Sequence, residues 1–203
     1  MTEQSTDTKV KIMDVARVLF ATQGFEGTSI REIAKEAEVN IASVNYHFAS
    51  KENLFLEIMR TGYQDCSLEM KTFYQQNNPD LETTLLHLFR HFLSRSHDLR
   101  THFKMLMSAQ HNHHLASQGT EDERFGPPGG KVIIDALIKE VGGELIEEDL
   151  HWAIKTLFSH VIHNALMYAC CFKDNKVPYT SVEDLEKNIK RLSRVVVREL
   201  KSK

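Results

Sequence analysis

Residues 28–51 read TSIREIAKEAEVNIASVNYHFASK, and no other stretch limits so strongly what the N-terminal part of this chain can become. Ile30, Ile33, Ala34 and Ala37 recur at helical spacing, which predicts a helix over about Ile30–Glu38 with one apolar face. Thr28 or Ser29 can cap its start, and Ser29 with Glu32 has the capping-box spacing. Val39-Asn40 ends it, and Asn40 suits both a turn and the N-cap of the next helix. That helix is short, about Ile41–His47. Val44 and Phe48, four residues apart, pin it to the helix before, so Ile41, Ala42, Asn45 and Tyr46 are left on its outer side. A further helix starts after Ser50, a good N-cap. Two short helices around a tight turn, the second one outward, is the arrangement that offers a helix to the major groove of DNA.

These residues resemble the tetracycline-repressor (TetR) family of bacterial transcription regulators. The resemblance covers about Lys9–Met59. It includes the apolar face of the first helix with Phe20 and Gly24-Phe25, the Thr28-Ser29-Ile30 start, Ile33-Ala34 and Val39. Its most specific part is Tyr46-His47-Phe48 followed by Ser50-Lys51-Glu52 and Leu54-Phe55. It implies an all-α chain: an N-terminal three-helix helix-turn-helix DNA-binding domain over 1–55, with the helix-turn-helix at about 29–48, and a C-terminal helical ligand-binding and dimerisation domain over 56–203. The family often carries a second aromatic where this chain has Asn45, so relatives are no guide to the base contact there.

Phosphates set register on DNA and base edges carry the sequence. By resemblance, Tyr46, His47 and Lys51 contact phosphates. Thr28 can add a hydroxyl, and a helix N-terminus near Ser29 or Asn40 can receive a phosphate on its N–H groups. Asn45 can pair bidentately with adenine, Ile41 and Ala42 can touch thymine methyls, and Ser43 is adaptable. The reading helix holds no Arg or Lys, so part of its specificity is expected from DNA shape. Packing alone accounts for Ile30, Ile33, Ala34, Val44 and Phe48. Tyr46 and His47 could also pack against the head, and Lys51 could be a solvated lysine. A cation in a helix's first turn opposes the helix dipole, which favours a phosphate role for Lys51.

Charge does not point to DNA by itself. The formal net charge is -3, and Met1–Arg60 holds seven Lys and Arg against nine Asp and Glu. A nucleic-acid binder usually shows a basic footprint. Any such footprint here must be local, drawn from Lys9, Lys11, Arg31, Lys51 and helix N-termini.

The remaining sequence reads as helix throughout. Predicted helices cover Ser50–Gln76, a segment from Asp80 with Leu81, Leu85, Leu88, Phe89 and Phe92, Leu99–Leu115, Gly130–Val141, Glu147–Phe172 and Val182–Leu200, with a loop over Ser117–Pro128. Hydrophobic content of 41% and charged content of 26% suit a soluble globular protein. The polar start predicts no secretory signal, the longest apolar run is broken by Ser159, His160, His163 and Asn164, and Cys66, Cys170 and Cys171 form no disulfide framework. A cytoplasmic protein is expected.

Val182, Leu185, Ile189, Leu192 and Val196 form one stripe, and the helix before it is apolar on more than one face. Together, about 147–172 and 182–200, they are the expected homodimer seam, as the family resemblance also implies. Relatives bind a small, largely apolar effector between the middle helices, and Phe89, Phe92, Phe103, Leu106, Met107, Trp152 and Met167 are candidates to line such a cavity, although core packing explains each of them too. The wording VNIASVNYHF looks like the branch of the family that responds to fatty-acyl compounds or drugs. The histidines suggest a different class of function. His87 and His91, His111, His113 and His114, and His160 and His163 could serve a metal sensor or metal-dependent enzyme, yet no carboxylate or cysteine completes a ligand set and HEXXH is absent. No catalytic motif and no cofactor is indicated. Cys66 or Cys170 could sense oxidants only if accessible.

Overall fold

A computed structural model of the chain describes residues 3–108, 127–172, 178 and 180–202. Among them are nine α-helices, one π-helical segment and no strand: α1 (Glu3–Gly27), α2 (Ile30–Glu36), α3 (Ile41–Phe48), α4 (Lys51–Asn77), α5 (Leu81–Ser94), α6 (Ser96–Ser108), α7 (Gly130–Val141), α8 (Glu147–Met167) continued by the π segment Tyr168–Phe172, and α9 (Val182–Lys201). The all-α expectation holds. The helix expected to reach Leu115 is described as far as Ser108, and residues 109–126, with His111, His113, His114 and most of the expected loop, lie outside the described residues.

The backbone divides into two compact units, Met1–Gly62 with Asp98–Ser117, and Tyr63–His97 with Gln118–Lys203. The first unit therefore runs past residue 55 and takes in a segment distant in sequence. α4 supplies residues to both units.

The first unit is built on aromatic packing. Gly24 sits at φ 79, a left-handed value open to glycine, and kinks the end of α1. Phe25 then lies against Phe20 and Phe55, with ring centres 5.6 and 5.3 Å away. Ile12, Ala16, Ile33, Ala34, Val44, Phe48, Leu54 and Ile58 complete the core, joined by Met105 from α6. Burying one large apolar side chain is worth about 1.5–3 kcal/mol, so this small head rests on a handful of residues. Ser29 caps α2 by accepting from the Glu32 N–H, and Asn40 caps α3 by accepting from the Ala42 N–H.

In the second unit α5 is the central helix, packing on α7, α8 and α9. Its Leu81, Leu85, Leu88 and Phe89 are fully buried, and Asp80 caps it through the Thr83 N–H at 2.7 Å. Ser181 caps α9 through the Asp184 N–H. The apolar stripe of α9, expected in the homodimer seam, is covered in part by the chain itself, and Val182 and Leu192 remain half-buried. Leu185, Ile189 and Val196 are buried within the chain itself, against a unit in which α9 packs on α5, α7 and α8. A strongly amphipathic helix turns its apolar face to the nearest core, and that core is its own.

Candidate nucleic-acid interface

The turn between α2 and α3 places Glu38 at φ 53, and α3 is held from below by two residues, Val44 and Phe48, both buried. Fixing those two determines what the other side of a two-turn helix presents. Ile41, Ala42, Asn45 and Tyr46 are all exposed, and Tyr46 retains 81% of its surface. A tyrosine this exposed contributes nothing to the core. Its phenol is free to meet a phosphate, and Asn45 beside it carries both a donor and an acceptor. Ser43 and His47 are half-buried, with the His47 ring edge-on to Tyr46 at 5.2 Å. Ser29 and Asn40 are exposed, but each side-chain oxygen already accepts a cap hydrogen bond. What they add for an anion is the cluster of N–H groups at a helix start.

Two expected contacts change. Thr28 is only 2% exposed and its hydroxyl donates to the Gly24 carbonyl at 2.8 Å, so it tightens the end of α1 and is not presented outward. Lys51 is drawn inward as well. Its ammonium donates to the carbonyls of Phe25 and Thr28 at 2.8 and 3.0 Å and stands over the Phe25 ring. Carbonyls at and just past a helix end attract a cation, and this one comes from the start of α4, although the Phe25 carbonyl also accepts the Thr28 N–H at 3.4 Å. One of its three N–H donors remains for a phosphate. The Thr28 contact reaches back only four residues, whereas the Lys51 contacts depend on where α1 ends relative to α4, which local spacing does not signal.

The suggested basic patch is also partly consumed. Lys9 pairs with Glu57 at 2.6 Å and Lys11 with Glu38 at 2.9 Å. Burial pushes the Glu57 carboxyl up, but hydrogen bonds from Lys9 and Arg60 outweigh it and hold the group below its usual range. Arg31, at the start of α2, is exposed and makes no ion pair among the described residues.

The candidates for a ligand cavity separate by environment. Phe89 and Phe92 are buried on α5 and Met167 is half-buried at the end of α8. Phe103, Leu106, Met107 and Trp152 are exposed, the first three in the first unit and Trp152 in the second. The histidines of α5 have structural partners: the Nδ1 of His91 is 2.8 Å from Glu69, and His87 stacks on Phe73 at 3.6 Å. Burial lowers the pKa of His87, with Glu69 opposing that shift. Among the described residues no three His, Cys, Asp or Glu side chains gather where they could hold a metal. Cys66 is buried and its thiol is pushed up to about 12, chiefly by burial, which makes it a poor redox sensor. No helix of the described residues is long and apolar enough to cross a membrane.

Residues 12–58 match the family described as bacterial regulatory proteins, tetR family. The protein named "Probable HTH-type transcriptional regulator YttP" of Bacillus subtilis (strain 168) is 37% identical over 94 residues, 46% of this chain and 45% of that protein. The chain thus aligns with less than half the length of this curated relative. A TetR-like transcriptional regulator from Rhodococcus sp. RHA1 superposes with a TM-score of 0.65 at 17% identity, over 97% of each chain. Thermus thermophilus FadR, a TetR-family transcriptional repressor solved in complex with lauroyl-CoA, gives a TM-score of 0.57 at 21% identity over 93% of each chain. At these identities the two structures establish the shared fold.

Proposed function

Because this chain belongs to the tetR family of bacterial regulatory proteins, we propose that it is a transcriptional repressor that binds a near-palindromic operator as a homodimer. The observation that carries the proposal is the outward face of α3. Asn45 and Tyr46 are exposed while Val44 and Phe48 anchor the helix. Asn45 reads a base edge, Ile41 and Ala42 meet thymine methyls, and Tyr46, His47, the third Lys51 donor and the helix starts at Ser29 and Asn40 hold phosphates. Arg31 adds the unpaired charge. A two-fold dimer sets the two reading helices about one DNA turn apart, roughly 34 Å.

The effector in this reading is a small, largely apolar molecule received by the second unit, with Phe89, Phe92 and Met167 as the inner candidates. The lauroyl-CoA complex of FadR supports an acyl compound as the first class to try. The effector acts by binding one of two positions of α4 more tightly than the other, since a ligand shifts an equilibrium only by its differential affinity. α4 is suited to this because it is one helix shared by both units.

The test is selection of genomic DNA fragments by the purified protein. An enriched inverted repeat with half-sites about one turn apart, lost in Asn45→Ala and Tyr46→Ala, supports the proposal. Equal recovery of all fragments by the wild type and both variants refutes it.

A further inference from the structure

The end of α8 carries two of the chain's three cysteines side by side. The α-helix Glu147–Met167 widens there into the π-helical turn Tyr168–Phe172, and Cys170 and Cys171 stand in that turn, both exposed and neither in a disulfide. A single π turn at the end of an α-helix is rare, and such turns are frequent at functional sites. The third thiol, Cys66, is buried on α4 and takes no part.

Geometry decides what such a pair can do. Consecutive Cα atoms are about 3.8 Å apart, whereas an ordinary disulfide spans roughly 4.4–6.8 Å between its Cα atoms. A direct bond between Cys170 and Cys171 would therefore strain the turn. A single atom set between the two sulfurs relieves this, because the ring gains a member and the sulfurs are held two bonds apart. Adjacent exposed thiols are thus a poor disulfide and a good chelate. The bridging atom must be soft, since thiolates select soft centres. It must also be satisfied by two sulfurs, because tetrahedral zinc takes four ligands and among the described residues no third His, Cys, Asp or Glu joins the pair. Trivalent arsenic bearing one organic group meets both conditions, with two positions open to thiolates.

We propose that Cys170 and Cys171 form a dithiol site for monosubstituted trivalent arsenicals. The two thiols displace the oxygen of the arsenoxide. Two arsenic–sulfur bonds form, the bonds from arsenic to oxygen break, and both thiol protons leave with the oxygen as one water. Arsenic stays trivalent throughout, so no oxidant or reductant is consumed. The site gives the second unit a ligand class separate from the apolar effector. It forms without DNA and therefore stands or falls independently of the repressor reading.

The full-length reduced protein is treated with one equivalent of phenylarsine oxide, and the product is followed by intact mass and peptide mapping. The expected product is one phenylarsenic group per chain, gained with loss of two protons, that shields Cys170 and Cys171 together from maleimide. It should resist an excess of a monothiol, yield to 2,3-dimercaptopropanol, and form equally in Cys66→Ala. Holding a ligand at two points strengthens binding by roughly 10²–10⁴. Cys170→Ser and Cys171→Ser are therefore each expected to retain the arsenical at least about a hundredfold more weakly. A wild-type adduct that a monothiol strips as readily as it does from the serine variants overturns the site. So does an adduct on Cys66, one arsenical bridging two chains, or no adduct at all.

Discussion

The Lys51 ammonium donates to the Phe25 carbonyl at 2.8 Å and lies 4.3 Å from the centre of the same residue's ring. One side chain from the first turn of α4 thus closes the end of α1 by a hydrogen bond and a cation–π contact together. Phe25 belongs to the three-ring cluster of the head, so the lysine ties the frame of the reading helix to its core.

Replacing Lys51 by Met removes the donor and leaves two carbonyls without it. Each hydrogen bond of this kind is worth about 1–2 kcal/mol net, with the ring contact adding about 0.5–1. Lys51→Met is expected to lower the stability of the head by about 2.5–5 kcal/mol, read as a lower urea midpoint with unchanged slope. It should also weaken all DNA sequences alike. A wild-type midpoint would refute the closing role.

Gly62 marks a close approach. A Cβ placed there falls 2.6 Å from the Nε2 of His102, whose Nδ1 is held 2.8 Å from the Asp98 carbonyl. Gly62→Ala is therefore expected to destabilise by about 1–3 kcal/mol. In a His102→Ala background the same change is nearly neutral, because the obstructing ring is gone. Equal cost in both backgrounds, measured as a double-mutant cycle, would show that the ring is not what glycine accommodates.

The thiols should separate by reactivity. Cys170 and Cys171 are exposed, whereas Cys66 is buried with a thiol pushed from 9.0 to about 12. Two thiols are expected to react with a chromogenic disulfide at mildly alkaline pH in the native protein, and three in denaturant. The sign of the linkage follows from the raised value. The unfolded thiol ionises near 9 while the folded one stays neutral, so the contribution of Cys66 is full below pH 9 and declines as pH rises toward 12. Cys66→Ala should flatten that part of the stability profile.

Asn45 and Tyr46 should fail in different ways. Asn45→Ala is expected to relax preference at one base position, a loss of about 1–3 kcal/mol of discrimination on the selected operator. Tyr46→Phe should weaken every sequence to a similar degree, because phosphates carry no sequence information. Competition binding with base-substituted operators distinguishes the two, and an unaltered base preference in Asn45→Ala would remove it from the reading set.

The helices were legible because their signals are local. Apolar residues at helical spacing mark α2 through α5, and Ser29, Asn40, Asp80 and Ser181 each accept the N–H that a cap residue should. The outward side of α3 was legible for the same reason: in a helix of eight residues, burying Val44 and Phe48 leaves only one side for Asn45 and Tyr46. The Tyr46-His47-Phe48 and Ser50-Lys51-Glu52 blocks pointed to the family that residues 12–58 match.

Other features depended on pairs far apart in sequence. Lys51 looked like a residue facing a phosphate, but the fold turned it back to the carbonyls of Phe25 and Thr28, 26 and 23 residues earlier. The α9 stripe was expected to meet a second copy, and within the chain α5, α7 and α8 already cover Leu185, Ile189 and Val196. Trp152 reads in sequence as a core or cavity residue and stands 42% exposed. The sequence alone determined which segments become helices and which side of each is apolar, because backbone hydrogen bonding and side-chain period act within a few residues. Only the tertiary structure decided what each side meets, because burial and charge pairing are settled between elements, where spacing along the chain carries no information.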